Sequence, residues 1–118
     1  MFISKKEKIH AYLNNKSDNN NVFDALLRDY LNGNLKKSLE ELGLTKIDFH
    51  IDWFENMKCI SMQGKYKKYY VDLQIYPDEF SLSFDLIEPD EDVVYCLESK
   101  EQVYKILLDK IKKLSNDT

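Results

Sequence analysis

Apolar side chains in the first 43 residues recur at the three- and four-residue spacing of amphipathic helices. The pattern predicts a short helix over residues 5–13 and a second helix that begins at Val22, where Asn20 or Asn21 can cap the first turn. A third helix follows a break at residues 32–34, and Gly43 is placed to end it. The N-terminal part of the chain is therefore expected to be helical.

From residue 47 the apolar period changes from 3.6 to 2, which is typical of strands. This alternation predicts four strands, and a short apolar run predicts a fifth. The expected strands cover residues 47–54, 57–63, 69–76, 80–86 and 93–97. Because the connections are short, for example the turns at 64–67 and 77–79, the strands are expected to form an antiparallel meander.

A final helix is expected to begin at Ser99, because Ser99 and Gln102 have the spacing of a capping box. Its apolar residues fall on one stripe: Val103, Ile106, Leu107, Ile111 and Leu114. The sequence thus predicts an α+β fold with N-terminal helices, an antiparallel sheet of four to five strands and a C-terminal helix packed on one sheet face. The other sheet face is mostly polar and is expected to meet water or a partner.

The length of 118 residues leaves room for one hydrophobic core, so a single domain over residues 1–118 is expected. Charged residues near the N-terminus stand where a signal peptide would need an apolar run, and no apolar run approaches the ~18 residues of a membrane span. A cytoplasmic location without membrane contact is therefore expected. In a reducing compartment, Cys59 and Cys96 are interpreted as small buried hydrophobes rather than as a disulfide or metal ligands.

Acidic residues are unevenly distributed along the chain. Residues 72–101 include ten acidic side chains and one lysine, a formal charge of −9, whereas the whole chain carries −4 and the remainder therefore about +5. A segment of this charge can steer a basic protein partner over ~8–10 Å. Because nucleic-acid phosphates require lysine and arginine, the same segment argues against direct nucleic-acid binding.

Pairing the third and fourth strands suggests a candidate site on the polar face. If Tyr76 lies opposite Ser81, then Asp72 lies opposite Asp85, and all apolar residues of both strands share one face. Two facing carboxylates repel each other, so they require compensation. Three interpretations stay open. Solvation, or Lys58 or Lys68 from the neighbouring strand, could compensate the carboxylates; the pair could anchor an arginine or lysine of a partner beside Tyr70 and Tyr76; or it could be an acid/base or metal pair.

Catalytic signatures are absent from the sequence, which contains no Gly-rich phosphate loop, nucleophile elbow or Cys-x-x-Cys pair. We therefore expect no enzymatic activity, no cofactor and no bound metal. Residues 65–70 interleave lysine with tyrosine, a composition found in single-strand-binding patches. A solvated hairpin tip whose lysines discourage aggregation is the favoured interpretation.

The acidic segment 72–101, the abundance of asparagine and lysine, and the absence of catalytic motifs resemble the immunity proteins of bacterial polymorphic and contact-dependent toxin systems. Those are small α+β proteins that bind and block one cognate toxin domain. The resemblance implies a non-catalytic inhibitor whose acidic surface binds a basic, nuclease-type toxin. The expected interface residues are acidic or aromatic: Asp72, Asp85, Glu88, Asp90, Glu91, Asp92, Tyr70, Tyr76 and Tyr95.

Two alternative functions stay open at this stage. One is a phage or mobile-element inhibitor whose acidic residues mimic nucleic acid and disarm a nuclease. The other is a small ligand-binding or enzymatic domain that uses Asp72, Asp85 and His50 on the polar sheet face. A homodimer through an exposed sheet edge is compatible with any of these functions.

Overall fold

A computed structural model describes residues 4–14, 21–54, 57–84 and 94–116, and within them the α+β fold is as predicted. Four helices and five strands lie in these ranges. The helices are α1 (Lys5–Asn14), α2 (Val22–Asn32), α3 (Asn34–Glu41) and α4 (Lys100–Asn116). The strands are β1 (Thr45–Phe54), β2 (Met57–Tyr66), β3 (Tyr69–Ile75), β4 (Glu79–Phe84) and β5 (Val94–Cys96).

The five strands form one open sheet in the order β1-β2-β3-β4-β5, and every neighbouring pair is antiparallel. Strand order therefore follows chain order, which confirms the predicted meander. The fifth strand covers three residues rather than the expected five. None of the described helices is long and apolar enough to span a membrane.

Capping residues explain where α2 begins and ends and where α4 begins. Asn21 Oδ1 accepts hydrogen bonds from the backbone N–H groups of Phe23 (2.8 Å) and Asp24 (3.4 Å), so Asn21 is the N-cap of α2. Gly33 ends α2 with φ +86°, a left-handed conformation that favours glycine. At α4, Ser99 Oγ accepts from the Gln102 N–H (3.0 Å), which confirms the predicted cap.

The core lies between the helices and one face of the sheet, which we call the core face. Each of α1 to α4 contributes apolar side chains that are less than 8% exposed, and so do β1 to β4. The helical contributors include Ile9, Phe23, Leu26, Leu35, Val103 and Leu107, and the strand contributors include Ile51, Ile60, Leu73, Ile75, Phe80 and Leu82. The predicted covering of one sheet face by helices is therefore confirmed.

The turn between β2 and β3 differs from the prediction. It was expected at residues 64–67, but β2 continues to Tyr66, and Tyr66 pairs with Tyr69 across a turn of two lysines. Gly64 belongs to the strand, beside an irregularity in β1 between Thr45 and Asp48. A Cβ atom at Gly64 would approach the Thr45 carbonyl oxygen to 3.2 Å. Close approach of two backbones, rather than a turn, therefore explains this glycine.

The predicted register of β3 and β4 is wrong. Asp72 lies opposite Ser83 rather than Asp85, and Gln74 lies opposite Ser81. The two registers differ by two residues, so both place the apolar side chains on the core face. The turn decides between them, because the Tyr76 N–H donates to the Glu79 carbonyl (2.7 Å) and closes a tight connection.

Candidate functional site

The sheet face opposite the core face, which we call the outer face, is lined with polar side chains. Strand alternation directs them to this side, and the register places them in rows that cross the sheet. One row contains Asp48, Gln63, Asp72 and Ser83, and the next contains His50, Ser61, Gln74, Ser81 and Val94. The outer face is therefore a polar surface on a rigid sheet whose other side is buried.

A groove with a cavity volume of about 480 Å³ lies on the outer face over β3, β4 and β5, and we call it the outer-face groove. Two carboxyl groups, an amide, a phenol and two hydroxyl groups line it: Asp72, Glu79, Gln74, Tyr76, Ser81 and Ser83. β5 adds the exposed side chain of Val94. The described residues that line the groove include two acidic side chains and no lysine or arginine, so its formal charge is negative.

Asp72 is the least satisfied polar group of the groove. Its Oδ1 atom is buried and has no hydrogen-bond partner among the described residues. Burial raises the pKa of Asp72 above its usual value, although a hydrogen bond with the Gln74 side chain acts in the opposite direction. A buried acceptor without a donor costs about 1–3 kcal/mol, so Asp72 lowers the stability of the fold.

Tyr76 is fixed in the groove by its neighbours. Its hydroxyl donates to Gln74 Oε1 (2.9 Å), and its side chain also forms a hydrogen bond with the Cys59 thiol. Burial and then the neighbouring Cys59 raise the pKa of Tyr76, so the phenol stays protonated at neutral pH. Tyr76 therefore offers an aromatic ring held at a defined position.

The two cysteines occupy different environments. Cys59 is 2% exposed but lies on the outer face, where its thiol forms a hydrogen bond with Tyr76 and its Sγ is 3.8 Å from Ser61 Oγ. Burial raises the pKa of Cys59, which disfavours the nucleophilic thiolate. Cys96 is exposed on β5, so the expectation that both cysteines are buried is wrong for Cys96. Both are free thiols.

The structure brings some of the predicted interface residues together. Asp72 and Tyr76 share the groove, whereas Tyr70 lies at the end of β3 near the lysine turn, where it is 57% exposed. Tyr95 points to the core face, where it stacks on Phe80 with 5.1 Å between ring centroids. The remaining predicted interface residues lie outside the described ranges: Asp85, Glu88, Asp90, Glu91 and Asp92.

The lysines proposed to compensate Asp72 are engaged elsewhere. Lys58 Nζ lies 4.2 Å from the ring centroid of Tyr12 in α1, on the core-face side. Lys68 Nζ lies 5.4 Å from the centroid of Tyr69. The first of the three interpretations of Asp72 thus loses its two named lysines.

Gln74, Glu79, Ser81 and Ser83 line the groove but were missing from the predicted interface set. The sequence carries a signal for them, because Gln74 alternates with buried apolar residues in β3, as Asp72 does, and the other three alternate with buried apolar residues in β4. Turning that signal into a groove requires the register and the position of β5. Alternation alone provides neither of these.

His50 and Asp72 lie far apart on the outer face. His50 lies on β1, two strands from β3, a separation of ~10 Å across the sheet. Its Nε2 is 3.0 Å from Asp52 Oδ1 on the same strand. In the part of the chain that the structure describes, no three His, Cys, Asp or Glu side chains are grouped as metal ligands.

No protein-family model, curated protein or solved structure matches this chain. The functional argument therefore depends on the chemistry and geometry of the outer face.

Proposed function

We propose that this protein is a non-catalytic inhibitor of the immunity type, which binds a cognate toxin domain with a basic surface and blocks it. The observation that carries the proposal is the outer-face groove. Asp72 and Glu79 line it, and none of its described lining residues is cationic. A basic partner would supply the donors that this surface lacks. The rigid sheet would hold the acceptors in place before binding, which reduces the entropic cost of association.

The distribution of charge supports an oriented approach of the partner. α4 carries five lysines and two acidic residues, a formal charge of +3, and packs on the core face. Segment 72–101, which includes residues 72–75 of β3 and all of β4 and β5, carries −9. Two acidic residues of this segment, Asp72 and Glu79, line the outer-face groove, so a partner with a basic cleft would be attracted to that side, and this steering raises the association rate.

Affinity capture from a lysate of the source cell, at about 50 mM and about 500 mM salt, tests the proposal. The expected result is a stoichiometric protein with a basic domain that is lost at high salt. Producing that domain in a test cell should be toxic, and co-producing this chain should restore growth. Failure to capture a basic protein at low salt, or failure to restore growth, would contradict the proposal.

Charge-reversal variants then test where the interface lies. Reversing the acidic residues within 88–92 is expected to slow association about tenfold and to reduce its salt dependence. A matched control reverses four exposed acidic residues of the helices: Glu7, Glu40, Glu41 and Asp109. Equal effects of the two variants on the association rate would place the interface elsewhere.

A small-ligand site is a second candidate function, and the size of the groove favours it. About 480 Å³ falls within the ~300–1,000 Å³ range of ligand-binding pockets. Native mass spectrometry of the purified chain distinguishes this candidate, because a resident ligand would add a discrete mass that denaturation removes.

A further inference from the structure

The acceptors of the outer-face groove form a two-dimensional array. Asp72 lies opposite Ser83 and Gln74 lies opposite Ser81, so two cross-strand pairs stand side by side. Their spacing is ~5 Å across the strands and ~7 Å along them. Gln74 Oε1 already accepts one hydrogen bond from Tyr76, which orients the amide within the array.

An arginine side chain matches this array better than a lysine side chain does. A guanidinium group has five N–H donors in one plane, and it can bond to several acceptors while stacking on an aromatic ring. A lysine ammonium is a compact point charge that bonds to fewer separated acceptors at once. In the groove, Asp72 would accept the charged donors and Tyr76 would offer its ring.

We propose that the outer-face groove receives an arginine side chain from the basic partner, with Asp72 as its counter-ion. The inference rests on the proposed function and specifies the chemistry of its central contact. Three of the chain's described lysines lie over its own tyrosine rings, and none of them lines the groove. Lys65 Nζ lies 4.8 Å from the ring centroid of Tyr70, and the lysines at 58 and 68 lie over Tyr12 and Tyr69.

A nuclear magnetic resonance titration of the full ¹⁵N-labelled chain with N-acetyl-arginine amide tests the inference. Saturable shifts are expected for the backbone amides of β3 and β4 around Asp72 and Ser81. N-acetyl-citrulline amide and N-acetyl-lysine amide serve as ligand controls. The citrulline side chain has nearly the shape of arginine without its charge, and the lysine side chain has the charge without the planar guanidinium group. Both are expected to bind at least about fivefold more weakly than arginine.

Two variants assign the effect to the groove. Asp72→Asn keeps the shape of the side chain and is expected to weaken arginine binding about tenfold. Asp48→Asn removes the same charge from an exposed position in the same cross-strand row, outside the groove, and is expected to change the affinity less than twofold. Glu79→Gln provides a second groove variant, with an expected weakening of about threefold.

Four results would overturn the inference. These are no saturable shift at the groove, equal binding of citrulline and arginine, equal effects of Asp72→Asn and Asp48→Asn, and tighter binding of free L-arginine than of the blocked amide. The last result would identify a metabolite rather than a protein side chain.

If a captured toxin bound the Asp72→Asn variant as tightly as the wild type, the arginine contact would be wrong while the inhibitor function stood. Arginine binding without any captured partner would support the arginine site and contradict the inhibitor function.

Discussion

The core face and the outer face of the sheet use the same strands but differ in how well the protein satisfies their side chains. On β3 and β4 the core-face residues Leu73, Ile75 and Phe80 are at most 1% exposed and are covered by the helices. Asp72 and Gln74 alternate with these residues on the outer face. There, the buried Oδ1 atom of Asp72 has no hydrogen-bond donor among the described residues. Adjacent residues of one strand therefore differ in whether the fold itself supplies their contacts.

The largest expected effect concerns the core face. Leu73→Ala removes a fully buried side chain, so we expect the free energy of unfolding to fall by about 3 kcal/mol. Ser83→Ala, on the neighbouring strand of the outer face, should change it by less than about 0.5 kcal/mol. Urea denaturation of both variants measures the difference. Similar losses from the two substitutions would show that the faces are not energetically distinct.

Thiol labelling tests how accessible the Cys59 thiol is on the outer face. Cys59 should react with iodoacetamide at least ~100-fold more slowly than Cys96, because its thiol is buried and its pKa is raised by burial. Cys96 on β5 serves as the internal control. Tyr76→Ala should speed up the labelling of Cys59 about tenfold by removing the side chain that forms a hydrogen bond with its thiol. Mass spectrometry of the labelled peptides gives both rates, and equal rates would contradict the described burial.

A smaller effect on the free energy of unfolding is expected from the ionisation of Asp72, and this effect depends on pH. Burial raises the pKa of Asp72 in the folded state above that in the unfolded chain, so the folded state binds the proton more tightly. The contribution of Asp72 to stability is therefore unfavourable above the folded-state pKa and disappears below the unfolded value of 3.8. Asp72→Asn should be more stable than the wild type by about 1 kcal/mol at pH 7, and the gap should close toward pH 3.5.

Urea denaturation of both proteins between pH 3.5 and 7.5 measures that gap. The exposed Asp48→Asn variant serves as the control and should stay within about 0.5 kcal/mol of the wild type throughout. A gap that widened on acidification would mean that the Asp72 carboxylate is stabilised, not destabilised, by its surroundings.

Local sequence signals were sufficient to predict the elements and the meander. Helix caps such as Asn21 and Ser99 depend on residues within three positions, and alternation on a strand is visible directly in the sequence. The error in the position of the β2–β3 turn arose where a local signal is ambiguous. Gly64 suggested a turn although a long-range backbone contact requires it, and the turn falls instead at Lys67, which adopts φ +53°.

The groove could be predicted less well than the fold. Alternation fixes which face a residue occupies, but registers that differ by two residues give the same faces, so the partner of Asp72 could not be inferred. The exposure of Cys96 and the inward stacking of Tyr95 depend on β5 being a three-residue edge strand. Such a short segment has too little pattern to indicate which residues face the core.

The packing of α4 on the core face has a consequence for the order in which the protein folds. Lys100 Nζ lies 3.0 Å from Asp29 Oδ2 and joins the start of α4 to α2 across 71 residues of chain, whereas neighbouring strands pair across short connections. Contacts that close short loops form early, because they lose less chain entropy. We expect the strands to assemble first and α4 to dock last, so that weakening its docking speeds unfolding more than it slows folding.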